Sequence, residues 1–477
     1  MKRRLTYYLF IFFTLLNGIA KSQSLIEIIN ADQISFNKKI NQDRQVLIGN
    51  VKTKHKNRFL ICDSAYYYSI ENKIEAFSNI HIWQGDTLEL KGDYLIYHGN
   101  NQLAEIHNNV KFRHNNMNLT SDQLKYNFEY DKAFYDHKAH ITERKKSLTS
   151  IEGVYDASIE KFDFYKEVVI ETEKETLRSD TLYYWLKNEY TIFKSNGSLE
   201  SSEIHAKAQS GWIDQKEGKA FLNNKVEMTD LKNKYVLRSD TCFLFEKLSH
   251  SISYGNTLLS IPLINDTLYL TGDTLIQREN IEGNLLIAYP NSNFMSIDMV
   301  GSCDSLSYTT QNETLFLNKE PVMWLDEFQL SSNSIRMLLN KDQINKAFLN
   351  KNAFITSRVD SNAFNQISGE NMTAYFKENQ LTNIEVLGNG ESIYYVKDEK
   401  STSSVGVNKI ICSNMNIIVK NRAIDNINFY EKPDATLHPI NKIQAKDLLL
   451  KGFTWKNKPD VLSNVESKMN IYKLFHD

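Results

Sequence analysis

A six-residue pattern returns along this chain at a nearly fixed interval, and little else about the sequence constrains its fold as tightly. An acidic residue after a small one is followed by apolar or aromatic residues at every second place. The pattern reads ADQISF at Asp32, CDSAYY at Asp63, GDYLIY at Asp93 and SDQLKY at Asp122, a spacing of about 30 residues from one copy to the next. It continues as SDTLYY at Asp180, SDTCFL at Asp240, GDTLIQ at Asp273 and CDSLSY at Asp304. Weaker copies are SGWIDQ, SNSIRM, GENMTA, CSNMNI and AKDLLL, and a copy near Glu152 is only faintly marked. A second element lies between these: LIGNVKTKH (47–55), AFSNIHIWQ (76–84), EIHNNVKFRH (105–114) and AFLNNKVEMTD (220–230). There, Gly or Asn marks a tight turn beside alternating apolar and polar residues.

Alternation with a period of two is the signature of a half-buried strand. In GDYLIY, Leu95 and Tyr97 share one face; in SDQLKY, Leu124 and Tyr126 do. Each unit of roughly 30 residues thus holds two or three strands. One unit cannot bury its apolar face alone, so stacked units are the stable form. No long stretch shows helical periodicity, and the expectation is all-β almost throughout. The recurring Asp reads as turn chemistry, bonding its own backbone to start the strand. A column of calcium-binding carboxylates is the alternative; it lacks glycine-dense nonapeptide repeats, and several copies replace the Asp.

Composition agrees with strands. The chain of 477 residues has 25 Tyr and 25 Phe but only 18 Gly and 6 Pro, and aromatic residues suit a pleated, half-buried surface. Its net charge of −2 offers no general attraction for nucleic acid. The N-terminus joins Lys2, Arg3 and Arg4 to an apolar run, Leu5 to Leu16, that is short for a membrane span. Ala20 and Ser22 follow, so residues 1–22 read as a signal peptide. Export permits disulfides, but Cys62, Cys303 and Cys412 occupy a slot filled elsewhere by Gly, Ser or Ala. We read them as small buried residues.

An exported all-β chain in which small-Asp-x-Leu-x-Tyr units alternate with Gly-Asn-Val turns resembles the OstA-like/LptA family of periplasmic lipopolysaccharide-transport proteins. LIGNVKTKHKNRFLICDSAYYY, AFSNIHIWQGDTLELKGDYLIYHG and EIHNNVKFRHNNMNLTSDQLKYNF carry the likeness, clearest over residues 25–135. The resemblance implies an elongated β-jellyroll, a V-shaped stack of antiparallel strands with an apolar groove for the acyl chains of lipid A. It implies lipopolysaccharide as cargo. It also implies pairing of edge strands with other lipopolysaccharide-transport proteins at the inner and outer membranes, or head-to-tail self-association. The location it implies is the periplasm of a Gram-negative bacterium, in contact with the outer membrane. Expected domains are an OstA-like N-terminal jellyroll (23–165), a second repeat region (166–310), divergent repeats (311–460) and a tail (461–477). AYPNSN (288–293) and KDEKSTSS (397–404) are candidate linkers or loops.

Candidate groove-lining residues are Ile34, Phe36, Tyr67, Leu95, Tyr97, Leu124, Tyr126, Leu182, Tyr184, Leu306 and Tyr308. No GxSxG, HExxH, GxGxxG or P-loop occurs, and neither a catalytic set nor a metal or cofactor is assigned. The basic cluster ERKKS (143–147) reads as a solvated loop, with contact to lipid phosphates as the alternative. Two other readings share the repeat. One is a structural or adhesive exported solenoid with a filled interior. The other is a polysaccharide-acting parallel β-helix enzyme.

Overall fold

The computed structural model describes residues 24–36, 43–263, 266–280, 283–325, 327–340, 343–397 and 404–473. The expected signal peptide and most of the KDEKSTSS segment lie outside them. The chain divides into two compact units, residues 1–191 and 192–477. The expected boundary at 165/166 falls within the strand Lys161–Glu171, and that at 310/311 falls in a turn.

The first unit is a meander of antiparallel strands. These are β1 (Glu27–Asn30), β2 (Gln33–Phe36), β3 (Arg44–His55), β4 (Arg58–Tyr68), β5 (Lys73–Gln84), β6 (Leu88–His98), β7 (Leu103–His114) and β8 (Met117–Asn127). Then follow β9 (Lys132–Tyr135), β10 (Ala139–Glu143), β11 (Lys146–Ser150), β12 (Glu152–Asp156), β13 (Lys161–Glu171) and β14 (Glu175–Trp185). Antiparallel pairing throughout rules out a parallel β-helix. The Gly-Asn and Asn-Asn dipeptides do not separate strands, as the sequence suggests. They sit in the middle of single long strands. Gly49–Asn50, Ser78–Asn79, Asn108–Asn109 and Lys166–Glu167 all have positive φ. Two successive left-handed residues turn the chain sharply, and the register slips there, between Ile48 and Val51 in β3 and between Phe77 and Ile80 in β5.

Each long strand therefore bends and serves two walls. Residues 51–55, 58–62, 80–84, 88–92, 110–114 and 117–121 pair in one; residues 44–48, 64–68, 73–77, 94–98, 103–107 and 123–127 pair in the other. The bend preserves which face is inward. In β5, Ile74 and Ala76 are buried before the corner and Ile80 and Ile82 after it.

The recurring aspartate clasps these corners. Asn50 donates to Asp32 at 2.8 Å, Asn79 to Asp63 at 2.8 Å, and Asn109 to Asp93 at 2.6 Å. In the second unit Asn256 donates to Asp240 at 2.9 Å and Asn291 to Asp273 at 2.7 Å. The partner is thus a corner Asn on the neighbouring strand, not the backbone of the Asp itself. Where Asn is absent a cation stands in: Lys319 bonds Asp304 at 2.8 Å, and Lys166 bonds Glu152. The faint copy near Glu152 is therefore a true rung. Among the described residues, no group of three His, Cys, Asp or Glu is placed to hold a metal ion. All four cysteines are free and buried, and burial pushes the Cys62 and Cys303 thiols up to about 12.

The second unit repeats the bent-rung plan, with corners at Asn224–Lys225 and Lys351–Asn352. AYPNSN, expected as a linker or loop, is a short corner between the strands Gly283–Tyr289 and Ser292–Met295, with Asn291 at positive φ. AKDLLL is not a rung either: Ala445–Leu448 is a short 3-10 turn within a strap that leads to helix α1 (Lys458–Lys473). This C-terminal segment is docked. Val461 packs on Val300, Val322 and Trp324, and Leu450 packs on Phe354, Ile393, Tyr395 and Val407. Because Met323 and Leu325, on the opposite face of the same strand, are also buried, the strap and helix form an added outer layer. Two buried glutamines fasten it. Gln366 donates to the Leu448 carbonyl (2.8 Å) and accepts from the Leu450 N–H (2.9 Å). Gln329 does the same with Thr454 (2.8 Å) and Lys456 (2.9 Å).

Candidate functional site

The inward face of the first unit carries a ladder of buried tyrosines: Tyr67, Tyr97, Tyr126, Tyr155 and Tyr184. They recur with the period of the repeat, one to each rung. All lie in one wall, near the hairpin ends that form its rim. Leu95, Leu124 and Leu182, two places earlier on their strands, are fully buried beside them.

The other wall answers with nitrogen donors and acceptors at its own rim. His55 Nδ1 and the Tyr97 hydroxyl are bonded at 2.6 Å, and His114 Nδ1 and the Tyr155 hydroxyl at 2.8 Å. Lys146 Nζ donates to the Tyr184 hydroxyl at 2.9 Å. Glu189 pairs with Lys146 at 3.8 Å and with Arg144, on the outside of this row, at 2.9 Å. The two rims are thereby latched together. Burial holds His55 and His114 below the ordinary histidine range, lowers Lys146, and raises Tyr97, Tyr155 and Tyr184. These phenols are neutral partners. The ERKKS segment is thus not simply solvated: Glu143 is buried, with its carboxyl raised by that burial, and Lys146 turns toward the interior.

Within this frame the expected lining residues separate into groups. Tyr67, Leu95, Tyr97, Leu124, Tyr126, Leu182 and Tyr184 come together in the first interior. Leu306 is buried in the second unit and Tyr308 is half-buried there. Ile34 and Phe36 are each 54% exposed, because β2 is an end rung. Ile34 pairs with the fully buried Leu47 and shares its face, but among the described residues no further strand covers it. Sequence reasoning missed Tyr155, His55, Arg58, His114 and Lys146. A signal existed: His55, Gln84, His114 and Glu143, which end successive strands of one wall, recur with the same period as the tyrosines.

Among the described residues, the inward faces are packed with buried apolar and aromatic side chains. A cavity of about 20 Å³ lies among Ile26, His55, Arg58, Leu60, Tyr97 and Phe128, and one of about 10 Å³ among leucines of the second unit, Leu306 included. Each has room for about one water molecule. An acyl chain enters either interior only if the walls part.

Residues 23–180 match the family model of the OstA-like protein. The chain is OstA-like over this N-terminal stretch. Among solved structures it is similar to LptH, described as the LptA homologous periplasmic component of the conserved lipopolysaccharide transport device from Pseudomonas aeruginosa. Identity is 17%, over 24% of this chain and 81% of that one, with a TM-score of 0.22. No curated protein matches. The OstA-like stretch spans the whole tyrosine ladder except its last rung, Tyr184. Among the described residues, no helix is long and apolar enough to cross a membrane.

Proposed function

We propose that this protein is a periplasmic carrier that holds the acyl chains of lipopolysaccharide on its inward apolar faces and passes them toward the outer membrane. The ladder of Tyr67, Tyr97, Tyr126 and Tyr184, with Leu95, Leu124 and Leu182, carries this reading. It is an oily track that, up to Tyr126, lies inside the OstA-like stretch, with Leu182 and Tyr184 just beyond it. Loading requires the rims to unlatch. Each rim bond contributes about 0.5–1.5 kcal/mol net, so a row of three resists by a few kcal/mol. A chain of a dozen methylenes gains roughly 10 kcal/mol on leaving water. It also replaces the wall-to-wall contacts that it displaces.

Edge strands support hand-off. Among the described residues β1 and β2 pair on one side only, with β3, and Ile29, Ile34 and Phe36 are exposed there. The last strands of the second unit, Ala423–Tyr430 and Asp434–Pro439, likewise pair only with Ser404–Lys420. Unpaired edges are templates for another chain. On this reading they join other lipopolysaccharide-transport proteins or further copies of this one.

A photo-crosslinking residue at Tyr97 or Tyr126 tests the carrier reading in cells. The expected product is a lipopolysaccharide adduct at these inward positions and none at the outward-facing Tyr94. The filled interior favours a second reading, an exported structural array without lipid cargo. Adducts absent at every inward position would leave that reading standing.

A further inference from the structure

Arg58 is an anomaly in this interior. It starts β4 at the rim and is only 7% exposed. A guanidinium is a permanent cation, and buried charges are normally paired with an opposite charge. Every partner of Arg58 is uncharged. Nε donates to Gln84 Oε1 at 2.8 Å. Nη1 donates to Gln102 Oε1 at 2.9 Å and to the Tyr97 hydroxyl at 3.4 Å. Nη2 donates to the Phe128 carbonyl at 3.3 Å, and the Phe128 ring stacks 4.4 Å away. Among the described residues, no carboxylate is a hydrogen-bond or ion-pair partner of Arg58. The neighbouring His55 is also buried, held by Tyr97 and by Ser24 Oγ at 2.7 Å. The small cavity described above opens between these groups. Its polar lining is Thr53, His55, Arg58 and the Tyr97 ring with its hydroxyl; its apolar lining includes Leu60, Ile82 and Ile26.

This is an amphiphilic boundary with a cation on it and no resident anion. Arg offers a planar fork of donors that matches phosphate oxygens two at a time. From this geometry we infer that Arg58, with His55 and the Tyr97 hydroxyl, is the receptor for an anionic phosphate headgroup whose acyl chains lie along Leu60 and Ile82. The inference rests on the carrier reading and adds to it a fixed polarity, headgroup at this rim and chains inward. In the lipid-free chain the neutral acceptors hold the guanidinium in place. On loading, phosphate oxygens replace them, and the bond between Tyr97 and His55 that latches the walls is released.

Three probes distinguish the possibilities: lipid A bearing its phosphates, the same lipid dephosphorylated, and inorganic phosphate alone, each titrated against the full chain. The wild-type protein is expected to bind the phosphorylated lipid at least tenfold more tightly than the dephosphorylated one. Arg58→Gln removes that preference while leaving affinity for the dephosphorylated lipid within about twofold. Gln102→Glu is the complementary variant and guards against misfolding of Arg58→Gln. It places a carboxylate beside Nη1, so it should preserve the fold and still abolish the preference. A preference that survives both substitutions overturns the inference. So does inorganic phosphate competing as effectively as the phosphorylated lipid, which would make the site a free-phosphate site. If the dephosphorylated lipid binds and phosphate adds nothing, the headgroup receptor is wrong and the carrier reading stands. If neither lipid binds, both fall.

Discussion

Asp93 accepts a hydrogen bond of 2.6 Å from Asn109, sixteen residues further along the chain. The pair ties the start of one half-strand to the corner of the next strand. Asp63 with Asn79 and Asp240 with Asn256 repeat the same separation. Asn109 has φ +52°, a conformation that Asn tolerates better than most residues. One asparagine thus supplies both the bend and the clasp.

Replacing Asp93 with Ala should cost about 1 kcal/mol, the net contribution of one exposed hydrogen bond. Asn109→Val should cost more, because it loses the bond and forces a β-branched residue into the left-handed region. Asn109→Gly should fall between Asn109→Val and wild type. Urea midpoints of the three variants give the ranking, and a Val variant as stable as the Gly variant would contradict it.

Acidification should loosen the first unit through His55 and His114. Burial, the first cause for each, holds both below the ordinary value of about 6.5, aided at His55 by Arg58 and Lys56 and opposed there by Glu27 and a Ser24 backbone bond. A depressed histidine binds fewer protons folded than unfolded, so stability is complete above about pH 6.5 and falls as pH drops through the folded value. Glu143 acts oppositely: its raised carboxyl adds relative stability as pH falls. The measurement is therefore differential. The double variant His55→Gln, His114→Gln should show a flatter dependence of Tm on pH between 7 and 5 than wild type.

Leu124 is fully buried at the centre of the first interior. Leu124→Ala should destabilise by about 2–5 kcal/mol, the range for removing a core leucine and leaving a cavity. The cavity is lined by apolar groups and should stay dry, so a small hydrocarbon should restore part of the loss. Thermal scans with and without benzene read this directly. No recovery would mean the walls collapse onto the gap.

Gln329 and Gln366 reach through the outer face of their wall to hold the C-terminal strap. Gln366→Ala removes both bonds to Leu448 and Leu450 and should cost roughly 1–3 kcal/mol, as expected for buried backbone groups left unpaired. Hydrogen exchange should quicken at the Leu450 amide first, with Lys456 following in Gln329→Ala. Unchanged protection at both amides would show that apolar packing alone keeps the strap in place.

The period-two pattern revealed the strands, the interval revealed the stacking, and Leu95, Tyr97, Leu124 and Tyr126 stand on the inward face their spacing indicated. The corners were harder to read, because Gly-Asn and Asn-Asn ordinarily join two strands. Here the ladder continues through them. The Asp partner was invisible because it is sixteen or eighteen residues away on another strand. Lys146 reads as part of a solvated loop and Arg58 carries no signal, since nothing local to either residue shows that a facing wall covers it. The helix was missed because its buried face, Val461, Val465 and Tyr472, is thin and Lys468 interrupts it. The strap gave no signal, as its glutamine anchors lie 82 to 127 residues earlier.

The bent strand also governs how such a chain can grow. A hairpin of two bent strands leaves at one rim and returns to that same rim about thirty residues later, with its apolar side chains pointing the same way. Copying that segment in the gene inserts one complete layer and leaves the terminal layers unaltered. Losing or gaining a single residue within a half-strand reverses every side chain as far as the next corner. Reach can therefore be lengthened or trimmed by whole layers during evolution, whereas small insertions are confined to the hairpin tips.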